Sequence, residues 1–310
     1  MGLVLAAQAQ QSAQSSLFML NPFQWNPAYA GLDYSLSATG GFRKQWVDLP
    51  GSPATQFLNA HLPLAIAGGG VGLKLENDAY GAERNAMAMV AYNYQMPVWQ
   101  GVIGFGFGAG VAQRTLDGSK LRTPEGIYNG PVFDHSDGIL PLTREQGVVN
   151  TFEAGVFYKS EWLEAGISAR NLSAPSIRLN TLETTLSRSY IVTLGMHFDL
   201  NRLFTIHPSV LVRSDAIQTQ TDAAVIVRYR DNIFAGSSLR GYNSNSLDAV
   251  AFIAGFKLND HFTMGYAYDQ TLSRLQDVSN GSHEIILTYN LNKAFGQGRL
   301  PRIIYNPRSL

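Results

Sequence analysis

The 310-residue chain predicts an all-β fold, an up-and-down antiparallel transmembrane β-barrel of the outer-membrane type with about 14 strands. Three observations predict it: scarce charge, apolar alternation with a period of two, and connections that alternate between long and short. Charged residues make up 15% of the chain and give a formal net charge of +0, whereas about 25% is usual for a soluble domain. No apolar run reaches the ~18 residues of a transmembrane helix, so a helical membrane protein is excluded. The neutral balance lacks the electrostatic footprint of a nucleic-acid binder. With Cys 0, a disulfide framework, a thiolate metal site and a cysteine nucleophile are also excluded.

At the N-terminus, Leu3 to Ala7 are apolar and Ala7-Gln8-Ala9 has the small-x-small spacing of a signal peptidase site. Residues 1–9 are therefore expected to be a partial signal peptide. Residues 10–32 are expected to be an irregular segment, either periplasmic or a plug in the lumen. Its Asn21-Pro22 and Asn26-Pro27 pairs keep each asparagine out of the helical region and favour turns. Its aromatics Phe18, Phe23, Trp25 and Tyr29 need burial, which a lumen or a partner would supply.

Residues 33–292 are expected to form the barrel. In Ser189 to Leu200, the residues Tyr190, Val192, Leu194, Met196, Phe198 and Leu200 share one face, with Ser189, Thr193, Gly195 and His197 on the other. The same alternation recurs around Leu163 to Arg170, Val250 to Leu258, Phe262 to Asp269 and Glu284 to Leu291. Connections expected to be long are Asp48–Pro53, Asp78–Glu83, Leu116–Gly147, Ser173–Ser187, Ser214–Gln220, Asn243–Ser246 and Leu272–Gly281. Those between them, such as Pro97–Gln100, Ser160–Glu161 and Asn201–Arg202, are short. Short periplasmic turns and long surface loops are the rule in outer-membrane barrels. This parity, more than periodicity, separates a membrane barrel from a soluble one. The apolar faces then point to lipid, and aromatic residues near strand ends supply interfacial girdles.

Within the barrel, Gly104, Gly106, Gly108 and Gly110 fall on every second residue. That is the spacing of a strand with one bare face, open to close approach by another backbone, and not of a dinucleotide-binding loop. Charges of both signs are expected in the lumen, Arg43, Lys74, Glu76, Glu153, Glu164, Arg170, Arg240, Asp269 and Glu284 among them, paired across neighbouring strands. A single-sign ring would have signalled ion selectivity. Six scattered His residues show no metal-ligand spacing, and no Ser/His/Asp trio is favoured. No catalytic residue, metal or cofactor is expected. Residues 293–310 form a basic tail, with Lys293, Arg299, Arg302 and Arg308 but no acidic residue, which is expected to face an acidic partner.

The stretch Asn21-Pro22-x-x-x-Asn26-Pro27-Ala28-Tyr29-Ala30-Gly31 resembles the opening of the PorP/SprF family of Bacteroidetes outer-membrane proteins. Gly41-Phe42-Arg43-Lys44-Gln45-Trp46, Gly51-Ser52-Pro53-Ala54-Thr55-Gln56 and Gly72-Leu73-Lys74-Leu75-Glu76-Asn77-Asp78 extend the likeness. The resemblance implies a non-enzymatic component of type IX secretion, linked in gliding bacteria to surface display of large adhesins. Its implied partners are outer-membrane lipid, an exported adhesin-like cargo protein, and periplasmic secretion or peptidoglycan-associated components. The alternative is an outer-membrane channel or a transporter of small hydrophobic molecules. Asn21, Pro22, Trp25, Asn26, Pro27, Tyr29, Arg43, Trp46, Arg299, Arg302 and Arg308 are the candidate plug or partner residues. Both termini are expected in the periplasm.

Overall fold

Alternation of apolar and polar side chains drives the chain into strands, and their pairing closes. The computed structural model describes residues 14–293, apart from 129–132, 180–181 and 243–245. Residues 1–9, expected to be a partial signal peptide, the tail arginines Arg299, Arg302 and Arg308, and the connection at 243–245 lie outside the described residues. The barrel strands are β1 (Ser37–Lys44), β2 (Ala54–Leu64), β3 (Gly69–Tyr80), β4 (Glu83–Val98), β5 (Gly101–Asp117), β6 (Arg144–Ser160) and β7 (Leu163–Arg170). They continue as β8 (Ser189–Met196, extended by Phe198–Asp199), β9 (Phe204–Ser214), β10 (Thr219–Tyr229), β11 (Ile233–Tyr242), β12 (Ser246–Lys257), β13 (Phe262–Thr271) and β14 (Ser282–Asn290).

Each strand runs antiparallel to its sequence neighbours, and β1 pairs with β14 from Ser37 opposite Asn290 to Lys44 opposite His283. The result is a closed barrel of 14 strands. Closure pairs every strand with two neighbours, the condition for strands in hydrocarbon. Along β10, Gln220, Asp222, Ala224 and Ile226 are buried while Thr221, Ala223, Val225 and Val227 are exposed. The same alternation leaves Val90, Phe107, Ile167 and Phe252 more than half exposed on the outer face, an apolar belt that suits lipid. Among the described residues no helix is long and apolar enough to cross a membrane.

One end carries all the even-numbered connections, each short: Trp99-Gln100 and Glu161-Trp162 are two of them. This turn end also holds the start of β1 and the end of β14. The opposite, loop end carries the odd-numbered connections, and the expected parity holds there only in part. Asp78–Glu83 is not a loop: Tyr80 pairs with Glu83, so Gly81-Ala82 is the whole turn, with Gly81 at φ 56°. The polar run Glu76-Asn77-Asp78 stays in strand because its side chains pair along the ladder, as Thr55 does with Asp78 at 2.6 Å. The β9–β10 connection, 215–218, is also a short turn. The real loops are 45–53, 118–143, 171–188 and 272–281. Loop 171–188 contains a hairpin of Ser176–Arg178 with Glu183–Thr185, whose Ile177 and Leu179 pack on Leu116 of β5.

The wall is uneven in height. β5 and β6 have 17 residues each and β7 has 8, while a tilted crossing takes ~9–11. The β5–β6 hairpin therefore rises beyond the membrane at the loop end, by roughly 6 residues or ~20 Å of strand.

Candidate functional site: a filled lumen

The chain before β1 folds inside the barrel. Asn26 is extended (φ −142°, ψ 120°) and Asn21 (φ −143°, ψ 67°) is also outside the helical region, which the following prolines disfavour. Each starts a short helical turn, Pro22–Trp25 and Pro27–Tyr29, with proline at the first turn position. The Asn26 side chain also caps the second turn by accepting from the Ala28 N–H at 2.9 Å. These turns make a compact body whose apolar side chains meet opposite halves of the wall. Leu17, Phe18, Met19 and Trp25 pack with residues of β8 to β14, such as Ile191, Leu211, Ile226 and Ile286. Phe23, Ala28, Tyr29, Ala30 and Leu32 pack with Ala91, Val102 and Phe157 of β4 to β6.

Bare strand faces admit this body. A Cβ at Gly106 would lie 2.2 Å from the Ala28 nitrogen, one at Gly72 would lie 2.2 Å from the Phe23 ring, and one at Gly155 would lie 2.3 Å from the Asn26 amide oxygen. Gly104 and Gly106 of β5 thus serve the close approach that their spacing implies, whereas Gly108 and Gly110 meet Met89, Glu153 and Ala88 of the neighbouring strands. Asn26 also donates to the backbone carbonyls of Val156 and Ile167, at 3.0 and 3.2 Å. Ser168 donates to the Trp25 carbonyl at 2.7 Å, and Asn93 to that of Ala30 at 2.9 Å.

Charge organises the lumen in three groups. Near the β1–β14 seam, Arg43 reaches Asp269 at 2.7 Å and Glu284 at 3.1 Å, and Arg240 reaches Asp222 at 2.6 Å and Asp269 at 2.9 Å. The segment enters this network: Ser15 donates to Glu284 at 2.5 Å and Ser16 to Asp269 at 2.8 Å. In the middle, Lys74 pairs with Glu153 at 2.5 Å and both are fully buried. Gln24 bridges the wall there, donating to Glu76 at 2.6 Å and accepting from Asn59 and Arg170. Toward the turn end, Lys159 donates to Tyr29 at 2.6 Å and lies 3.3 Å from Asp33. Burial alone would raise the Asp33 carboxyl, but Lys159 and His61, with hydrogen bonds from Ser37 and Tyr29, hold it well below the usual carboxylate range. Burial and the Asp33 charge push the Tyr29 hydroxyl up.

Of the candidate residues, Asn21, Trp25, Asn26, Pro27, Tyr29 and Arg43 are buried together in the lumen with the half-buried Pro22. Trp46 is not with them. It lies half-buried in the loop after β1, its backbone N–H donating to Ser282 Oγ at 3.1 Å. Asp222 and Arg213 are lumen charges that the sequence reading missed, although their period-two positions on β9 and β10 were the available signal. On the loop side, a cavity of about 150 Å³ remains above Trp25, lined by Glu76, Asp78, Arg114, Arg170 and Arg213.

A closed 14-strand barrel with a lipid-suited outer face and an occupied lumen defines an outer-membrane β-barrel protein. The model of the type IX secretion system membrane protein PorP/SprF family matches residues 7–289. The chain belongs to that family. No curated protein matches it. Among solved structures it is similar to the CymD monoaromatic hydrocarbon channel, at 10% identity and a TM-score of 0.51, covering 90% of this chain and 93% of that one. It is also similar to the toluene transporter TbuX of Ralstonia pickettii, at 9% identity and a TM-score of 0.50, covering 89% and 93%. These likenesses are of fold.

Proposed function

We propose that this protein is a plugged outer-membrane component of type IX secretion, which anchors an exported adhesin-like protein at its loop end. Its turns and basic tail then face periplasmic secretion or peptidoglycan-associated machinery, with both termini periplasmic. Family membership supports the link to secretion. The observation that carries the plugged state is the segment from Ser15 to Leu32, packed on both halves of the wall and hydrogen-bonded to the buried carboxylates at the seam. A solute crossing the barrel would have to displace buried hydrogen bonds to Glu284, Asp269, Glu76 and the β6–β7 backbone. The family link implies cargo at the surface, and the raised β5–β6 hairpin with loop 118–143 offers the largest surface for it.

Planar-bilayer recording tests the plug. The intact barrel is expected to be silent and a variant lacking residues 14–32 to conduct; steady open currents through the intact barrel would favour the channel reading instead. Pull-down from detergent extracts tests the cargo. Exported protein should follow the intact chain and be lost when residues 121–140 are replaced by a short turn. Recovery of no exported protein with either chain would overturn cargo anchoring.

A further inference from the structure

Beside the Lys159 group, the turn end of the lumen gathers one carboxylate and two imidazoles. In the β8–β9 hairpin, Gly195 lies opposite Ser209 and Phe198 opposite Ile206, so His197 faces His207 across the ladder. Glu164 of β7 lies opposite Gly195. All three side chains are on the inner face, and the missing side chain of Gly195 leaves the space in which Glu164 and His207 meet over β8. A Cβ there would sit 3.0 Å from His207 Nε2. One ligand atom from each of Glu164, His197 and His207 falls within 4.8 Å of the others. His197 Nε2 is 3.8 Å from Glu164 Oε1, and the two imidazole rings stack 4.0 Å apart at 18°.

His207 gives the second, independent sign. It is 4% exposed, and neither ring nitrogen has a hydrogen-bonding partner among the described residues. Thr193 Oγ1 and Ser209 Oγ beside it are likewise without partners. An imidazole buried this way forfeits the hydration of both nitrogens, and a bound cation restores one of them.

We propose that Glu164, His197 and His207 bind a divalent transition-metal ion of the zinc class. Two imidazoles and one carboxylate suit zinc, nickel or copper, and the lack of an oxygen-rich shell argues against calcium or magnesium. Bonds of ~2.0–2.1 Å in a tetrahedral site bring ligand atoms to roughly 3.3 Å apart. The ligand atoms, within 4.8 Å of one another, therefore close in by up to about 1.5 Å, and the rings turn out of their stack. Glu164 is free to turn because Lys159, 3.4 Å from it, keeps Asp33 and Tyr29 as partners. Lys159 and Arg228 add positive charge at this end, which holds the affinity below that of a structural zinc site. The half-exposed His197 provides the way in. The ion would tie β7, β8 and β9 together beside Phe18, Met19 and Trp25 of the lumen segment, which line the same small cavity. This inference is independent of the cargo reading.

The test uses the full chain, purified in detergent without a polyhistidine tag and stripped with a chelator. Titration calorimetry with Zn²⁺ should give one ion per barrel, and Co²⁺ should give the visible spectrum of low-coordinate cobalt. His197→Gln and His207→Gln should each weaken binding roughly tenfold or more, the loss that follows even removal of an outer-shell partner. His283→Gln, on the far side of the barrel, should not. Heat-modified mobility on gels reports folding, and His197→Gln, at a solvent-open position, keeps the test valid if His207→Gln misfolds. Absence of stoichiometric ion in the folded wild type, or wild-type affinity in folded His197→Gln, would overturn the proposal in favour of water at these nitrogens.

Discussion

Arg43 shows how much one lumen side chain holds. Its guanidinium stands between Asp269 and Glu284, and all three are almost fully buried. Removing it leaves Glu284 without its cation and Asp269 with Arg240 alone, and breaking a buried pair in this way typically costs about 3–5 kcal/mol. The Arg178–Glu183 pair is the contrast, an exposed contact at 3.9 Å of a kind worth ~0–1 kcal/mol. Arg43→Ala should thus lower the temperature at which the folded barrel unfolds on semi-native gels, and Arg178→Ala should leave it unchanged. Arg43 is legible in the sequence as a lumen charge because the period of two assigns its face. Its partners are not, since Asp269 lies two strands away around the seam and the register between first and last strands is written nowhere locally.

At the scale of elements, β5 carries the clearest sequence signal and the clearest consequence. Alternate glycines announce a bare face, and the chain that fills it, Pro27-Ala28, lies about eighty residues earlier. Gly106→Val should push the plug off the wall and raise bilayer conductance, whereas Gly138→Val, with nothing within 4 Å of its added Cβ, should not. The misread turn at Gly81-Ala82 has the opposite lesson. Polarity marks both loops and lumen faces, so Asp78 and Asn85, which pair across β3 and β4, look like loop residues until the ladder is known. The Glu164–His197–His207 cluster is hidden for a related reason: its spacing makes sense only once the β8–β9 turn sets which residues face each other.

For the whole molecule, the two ends differ enough to predict orientation. Lys120 and Arg122 lie exposed in loop 118–143, and Arg202 and Arg230 lie exposed at the turns. Trypsin added to intact cells should cut at Lys120 or Arg122 and spare Arg202 and Arg230 until the outer membrane is breached. Cleavage at the turns in intact cells would reverse the assignment of inside and outside.

The hydrogen bonds of Ser15 and Ser16 also bear on the order of assembly. They join the first described residues to Glu284 on the last strand, 269 and 268 positions away, and Ser16 accepts from both Arg43 and Arg240. These contacts form only when β14 meets β1, so they carry the full entropic cost of closing the longest loop in the chain. The packing of Phe23 and Ala28 on β4 to β6 does not wait for that closure, so the start of the segment is the part that settles last. Its bonds to Glu284 and Asp269 thus report that the barrel has closed, and an incomplete barrel would leave Ser15 and Ser16 without them.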